Sequence, residues 1–206
     1  MLLLFGKKRS LFRKPFTVVA IALCTIVLMP IVAVVAASQS GLSVVSGALA
    51  VFNTVTHLVE IKDVDGHVVR QLQASTTWPV KGTVSLEFGA DDSPYQKYHT
   101  GIDIKGLAGD PITTFMDGTI LKVDPNPDNS SGYGEYVMVD HGDGLTSLYG
   151  HMSEVFAQPR QKVVPDDIIG LRGSTGHSTG PHVHFEIRVI GIPVDPRTFM
   201  VGDPTP

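Results

Sequence analysis

Two short words in the sequence place metal-binding side chains at strand spacing: His99-Thr-Gly-Ile-Asp103 and His182-Val-His184. The first separates an imidazole from a carboxylate by an even number of residues, so both leave one side of an extended chain. In the second, alternation sends His182 and His184 to one face and Val183 and Phe185 to the other. A fourth histidine, His151, follows Tyr149-Gly150 where another apolar run ends. Two imidazole nitrogens and one carboxylate oxygen suit a first-row divalent metal, zinc above all, with a fourth position left for water. Spacing alone does not choose between this and the ordinary alternative, in which each histidine is a satisfied or exposed strand residue. The chain has no His-Glu-x-x-His, which rules out a helical metal site with glutamate as base.

The elements that must position these residues are short β runs separated by Gly, Asp, Asn and Pro turns. Val84–Phe88, Gly101–Lys105, Ile112–Phe115, Thr119–Val123, Glu135–Asp140, Thr146–Tyr149, Ile168–Arg172 and His182–Val189 are the predicted strands. No long amphipathic helix competes with them, so the fold class is mostly β, an antiparallel sheet. There is no phosphate-binding G-x-x-x-x-G-K-[ST] and no internal repeat.

The words between the histidines carry more information than the spacing. Phe88-Gly89, His99 to Asp103, Gly109-Asp110-Pro-Ile112 and Asp117-Gly118-Thr-Ile are followed by Tyr136-Val-Met-Val-Asp-His-Gly-Asp-Gly144 and Leu148-Tyr-Gly-His151-Met. Gly173-Ser-Thr-Gly176, Ser178-Thr-Gly-Pro-His182-Val-His184-Phe-Glu186 and Pro193-Val-Asp-Pro196 complete the series. In content and order they resemble the lysostaphin/LytM-type zinc endopeptidases over roughly Trp78 to Met200. The resemblance implies a groove domain in which His99, Asp103 and His184 bind zinc. It leaves His182 unligated beside the metal, with His151 reaching in from the neighbouring strand. Zinc polarises a carbonyl and acidifies water, and an imidazole titrating near neutrality can move the water's proton to the leaving amine. That role falls mainly to His182, with His151 orienting the water or stabilising the oxyanion. The implied substrate is the peptide part of peptidoglycan, in stems or cross-bridges. A non-catalytic wall-binding or amidase-regulating module is the rival, but such relatives typically lose ligands and all five positions are retained here.

Other candidates are read as ordinary. His57 and His67 lie outside the resembling region, His141 precedes a Gly-Asp-Gly hairpin, and His177 falls where the family varies. Tyr95 and Tyr98 precede the first ligand and can donate to a tetrahedral intermediate, or be surface tyrosines. Ala90 to Lys97 lacks the family's common Arg and Gly positions, a change at the cleft rim. Asp166 stands where the family usually has glycine, in an expected hairpin.

Upstream, the chain changes character. Residues 1–14 form a basic tail holding Lys7, Lys8, Arg9, Arg13 and Lys14, all before the first acidic residue, Glu60. Residues 15–37 form an uncharged run whose Phe16–Ala37 portion matches the ~20 residues needed to span a membrane. The positive-inside rule then puts the remainder outside the cytoplasm. A cleaved signal peptide ending at Ala37 exports it equally. The expected localisation is therefore the inner or cytoplasmic membrane, with a single pass and the β domain outside. An envelope-spanning protein partner is compatible with this placement but unidentified. Residues 38–77 are read as a juxtamembrane zone: Leu42 to Leu58 as a helix on the domain or a membrane-associated segment, then a β-hairpin around Asp65-Gly66 with a type I′ turn. A domain of residues 78–200 and a tail of 201–206 complete the division. Beyond the basic tail, 11 basic residues face 20 acidic ones, a balance that disfavours nucleic acid as a partner. With one cysteine, Cys24, no internal disulfide is possible, so the core or a metal must hold the fold.

Overall fold

A computed structural model of the chain describes residues 39–75, 77–128 and 132–205. The expected anchor at 15–37 lies outside these, and among the described residues no helix is long and apolar enough to cross a membrane. One helix, α1 (Gln39–Leu49), leads into a three-stranded antiparallel sheet of β1 (Ala50–Asn53), β2 (Leu58–Lys62) and β3 (Val68–Gln73). The rest is a larger antiparallel sheet of β4 (Thr83–Leu86), β5 (Ile102–Lys105), β6 (Pro111–Thr113), β7 (Gly118–Asp124), β8 (Glu135–Gly142), β9 (Leu145–Val155), β10 (Lys162–Val163), β11 (Ile168–Arg172), β12 (His182–Val189) and β13 (Ile192–Val194). Its main path runs β10-β7-β8-β9-β12-β5-β4, with β11 pairing β6 and β9, and β13 pairing β12. The mostly β, antiparallel expectation is met.

Alternation explains the centre of the sheet. Val183, Phe185, Ile187 and Val189 of β12 are all at most 1% exposed, while His182, His184, Glu186 and Arg188 occupy the other face. Phe185 stacks on Tyr149 of β9, with ring centroids 5.4 Å apart, and meets Phe115 edge-on at 5.7 Å. Ile102 and Ile104 of β5 and Val137 and Val139 of β8 are fully buried in the same core. The hydrophobic face thus fixes the register of the strand that carries two of the histidines.

Upstream, two expectations are corrected. The helix stops at Leu49, and Ala50-Val-Phe-Asn53 is strand, so Leu42 to Leu58 is not one helical or membrane-lying segment. β-branched and aromatic residues favour the pleated surface, and Asn53 Oδ1 accepts the backbone N–H groups of Val55 and Thr56, an Asx turn that reverses the chain. Leu49, Ala50, Val59 and Ile61 join the main core. The β2–β3 hairpin forms, but not through a type I′ turn. Gly66 alone has positive φ, +84°, and its N–H bonds Asp63 O, leaving a bulge beside Lys62. Asp63 Oδ1 takes the N–H groups of Asp65 and His67, which favours this turn over the two-residue one.

Asp166 has φ +76°, which explains why glycine suits its position. The turn is not a hairpin, however, because β10 pairs β7 while β11 pairs β6 and β9. At the C-terminal end, Ser75 and Met200 form a parallel bridge, and Trp78 Nε1 donates to Val201 O.

Because Phe185 is packed between two aromatic rings, Phe185→Ala should lower the unfolding free energy by about 3–5 kcal/mol. Denaturant unfolding followed by the fluorescence of Trp78 checks this, with Phe52→Ala on exposed β1 surface expected to shift the midpoint far less.

Candidate metal centre

β12 lies between β5 and β9, and the register brings the site together. His184 is opposite Asp103 on one side and Gly150 on the other, and His182 is opposite Lys105. His99 precedes β5 and is tied to the 87–90 segment by two backbone bonds, Gly89 N to His99 O and His99 N to Ala90 O. Gly101 is required by close approach: a Cβ there would lie 2.4 Å from Phe185 O and 3.0 Å from His184 Cε1.

His151 reaches the site by breaking alternation. Tyr149 points into the core, and two residues along a regular strand His151 would follow it. Instead His151 has φ +59°, and the β8–β9 register slips between Val137↔Tyr149 and Glu135↔Met152. This bulge turns the imidazole toward His182, with ring centroids 4.5 Å apart. A left-handed non-glycine backbone costs about 1–3 kcal/mol.

Three donor atoms converge. His99 Nε2 lies 3.0 Å from both Asp103 Oδ1 and His184 Nδ1, and His184 Nδ1 lies 2.9 Å from Asp103 Oδ1. The far sides of the rings fix the tautomers. His99 Nδ1–H donates to Glu87 O at 3.1 Å, and His184 Nε2–H donates to Glu186 Oε1 at 2.9 Å. Both inward nitrogens therefore present lone pairs to each other and to a carboxylate, an arrangement that only a cation or a proton relieves. Two imidazoles and a carboxylate fit zinc as three protein ligands with one position open. If a proton takes that place, burial opposes charge on His184, but Asp103 and Glu186 prevail and hold its pKa up at about 9. Burial likewise works against ionised Asp103, yet hydrogen bonds from His184 and His99 hold it far below the usual carboxylate range.

Glu186 anchors this arrangement. It is fully buried and collects Thr100 Oγ1–H at 2.5 Å, Tyr133 O–H at 2.8 Å, His184 Nε2–H, and Arg188 Nε–H at 2.6 Å. Burial alone would raise its pKa, but the bond from His184 leads the groups that bring it down to about 2. Thr100, Tyr133, Glu186 and Arg188 were given no role from sequence. The signal for two of them is the continued alternation His182-x-His184-x-Glu186-x-Arg188 on an otherwise apolar strand. Tyr133, in the β7–β8 connection, has no comparable signal.

His182 and His151 are not among the three converging donors. His182 Nδ1–H donates to Gly180 O at 2.8 Å and His151 Nδ1–H to Thr175 O at 2.7 Å. Each Nε2 is thereby left as a base, and both residues line the same cleft of about 350 Å³ as the three converging donors. His182 Nε2 lies 3.6 Å from Asp103 Oδ2. Burial, then the neighbouring His182 and His184, push His151 down to about 3.

Tyr95 and His177 also line this cleft and stack on each other, 5.1 Å between centroids, so His177 is a cleft-edge residue. Tyr98 turns away and packs edge-on against Phe88. His141 is buried, donating Nδ1–H to Asp117 O with Ser147 Oγ at Nε2, a core role more than a hairpin one. His57 and His67 are exposed and do not line the cleft. Asp63, Asp65 and His67 do cluster, but at an exposed turn whose backbone N–H groups occupy Asp63.

Residues 97–196 match the profile of Peptidase family M23. The catalytic domain of a point mutant of the prophage-encoded M23 protein EnpA from Enterococcus faecalis is 35% identical, aligns over 57% of this chain and 90% of that domain, and has a TM-score of 0.51. The chain belongs to peptidase family M23, the metallopeptidases of lysostaphin/LytM type. Lysostaphin of Staphylococcus simulans shares this M23 fold at 28% identity, covering 62% of this chain and 52% of its own, with a TM-score of 0.51. A zinc-containing peptidase from Vibrio cholerae gives 26% identity over 72% and 47%, with a TM-score of 0.55. Among curated relatives, the DD-carboxypeptidase/endopeptidase Mpg of Neisseria meningitidis is 38% identical over 148 residues, 70% of this chain and 33% of its own. The murein hydrolase activator NlpD of Salmonella dublin is 32% identical over 123 residues, 60% and 30%. The M23 chain thus spans about a third of the length of the curated relatives it matches.

Because Glu186 orients the His184 ring without touching the donor triangle, Glu186→Gln should weaken metal affinity by about 10–100-fold. His99→Ala and Asp103→Ala should remove stable binding altogether. Competition with a chromogenic zinc chelator measures both.

Proposed function

We propose that this M23 protein is a zinc-dependent endopeptidase hydrolysing peptide bonds in the stem peptides or cross-bridges of peptidoglycan. The observation that carries the reading is the completeness of the site. Three inward donors suited to zinc share a cleft with two further imidazoles, each locked by a backbone carbonyl with its basic nitrogen free. Bound zinc supplies Lewis acidity toward the scissile carbonyl. His182 Nε2 takes a proton from the attacking water as the C–O bond forms, and returns it to the amine nitrogen as the C–N bond breaks. His151, with its Nδ1–H spent on Thr175 O, accepts a hydrogen bond from the attacking water at Nε2 and so orients it, and it has no hydrogen there for the oxyanion. The substrate class is supported by the similarity to a peptidoglycan DD-endopeptidase, ShyA of Vibrio cholerae, 37% identical over 97 residues, and by the expected export of the domain.

The similarity to an NlpD activator supports a second reading, a non-catalytic module that regulates another wall hydrolase. Retention of His99, Asp103, His151, His182 and His184 favours the enzyme. The 15–37 run would anchor the protein in the cytoplasmic or inner membrane and restrict cutting to wall near it.

His182→Ala should keep zinc but lose about 10²–10⁴ in rate, without recovery at higher zinc, while His184→Ala should lose both metal and activity. Zinc analysis and mass spectrometry of digested wall measure the two effects. A zinc-loaded wild type that releases no muropeptides would favour the activator reading. For the topology, a reporter fused after Pro206 should be active outside the cytoplasm, and activity confined to the cytoplasm would overturn the anchor's orientation.

A further inference from the structure

Lys105 stands two residues beyond Asp103 on β5, so both side chains leave the same face, about 7 Å apart along the strand. Across the sheet it is the register partner of His182 on one side and of Thr83 on the other. Directly opposed residues have Cβ atoms about 4.5–5.5 Å apart. The row His182, Lys105, Thr83 therefore continues the face of the metal centre outward to the edge strand β4. There Thr83 and Lys105 line a groove of about 750 Å³, larger than the metal cleft, with Lys81 on its wall.

The charges in this groove are unevenly spent. Asp110 on its wall is bonded to Arg172 at 2.9 Å, and Asp203 to Arg197 at 2.6 Å. Asp166 is the remaining acid, on an exposed turn. Among the described residues neither Lys81 nor Lys105 enters an ion pair. Two uncompensated ammonium groups are conspicuous in a domain where acids predominate.

The walls beside them are held rigidly. Arg172 is fully buried and donates to Lys81 O and Asp110 Oδ2, while its own backbone bonds Asp110 O and Gly109 N. A Cβ at Gly106 would lie 1.3 Å from Arg172 Nη1, so the residue after Lys105 must be glycine for the guanidinium to reach this position. One buried cation thus fixes the segments carrying both lysines.

We propose that Lys105, assisted by Lys81, forms an anion subsite that holds a free carboxylate of the substrate peptide beside the scissile bond. An ammonium is a compact charge on a flexible stem and recognises a carboxylate without demanding bidentate geometry. The proposal rests on the peptidase reading and adds to it the chemistry of the neighbouring substrate residue.

The test uses the full-length, zinc-loaded protein and peptides matched in pairs, a free carboxylate against its carboxamide. In one pair the group is a side chain near the scissile bond, and in the other it is the chain terminus. The wild type should favour the acid in one pair, which identifies the source of the carboxylate. Lys105→Gln should reduce the acid-to-amide ratio of kcat/KM by about tenfold, through KM, and Lys105→Arg should restore most of it. Equal handling of acid and amide by the wild type, or an unchanged ratio in Lys105→Gln, would overturn the subsite. If the wild type cuts none of the peptides, the peptidase reading fails separately, and calorimetric binding of the same pairs decides the subsite: acid preference lost in Lys105→Gln supports it, and absence of preference refutes it.

Discussion

Electron pairs aimed at one point repel each other, and His99 Nε2, His184 Nδ1 and Asp103 Oδ1 meet at about 3 Å with the two ring hydrogens facing away. Every surrounding feature keeps them there. The Glu87 carbonyl and the Glu186 carboxylate take the outward ring hydrogens, and four donors hold Glu186 ionised in a site where water cannot reach it. Such an arrangement is unfavourable on its own and is relieved by a cation or by a proton shared with Asp103, so a metal bound here would displace that proton and its affinity would be part of local stability. The hydrophobic side of β12 supplies the opposing rigidity: the alternation that buries Phe185 forces His182 and His184 to the other face.

Much of this was legible as periodicity. β12, with its clean alternation, appears with the bounds read from sequence, and its facing residues follow; β11 also keeps its bounds, although its pairing is bulged on both sides. What failed were places where alternation breaks or where side-chain hydrogen bonds compete with pattern. β9 extends well past Tyr149 because Gly150 and the left-handed His151 allow it to continue through a bulge, and no apolar pattern signals that. The Leu42 to Leu58 run, fairly apolar but broken by Ser43, Ser46, Gly47 and Asn53, was read as one segment, whereas the helix ends at Leu49 and Asn53 closes a strand. Asp63, by gathering two backbone donors, selected a different turn from the one that Asp65-Gly66 suggested.

The site divides in the same way. His99, Asp103, His182 and His184 were carried by words at strand spacing and by the family resemblance, whereas the role of His151 was carried by the resemblance. Tyr133 and Thr100 were not, because their contribution depends on loops folding over β12 and on a buried carboxylate that itself had no assigned role. The cleft-edge place of His177 depends on a tertiary stack with Tyr95 and has no local signature.

The bridge between Ser75 and Met200, with Trp78 bonded to Val201, brings the strand-rich domain's entry and exit side by side at its surface. A unit whose two ends meet can be spliced into another polypeptide with short joints and little distortion of either partner. The same closure would let this portion travel as a cassette through larger architectures, and its matches within proteins three times as long as the aligned stretch fit that picture. It also means that a load applied between the two ends would pull on a seam of two or three hydrogen bonds before any force reached β12.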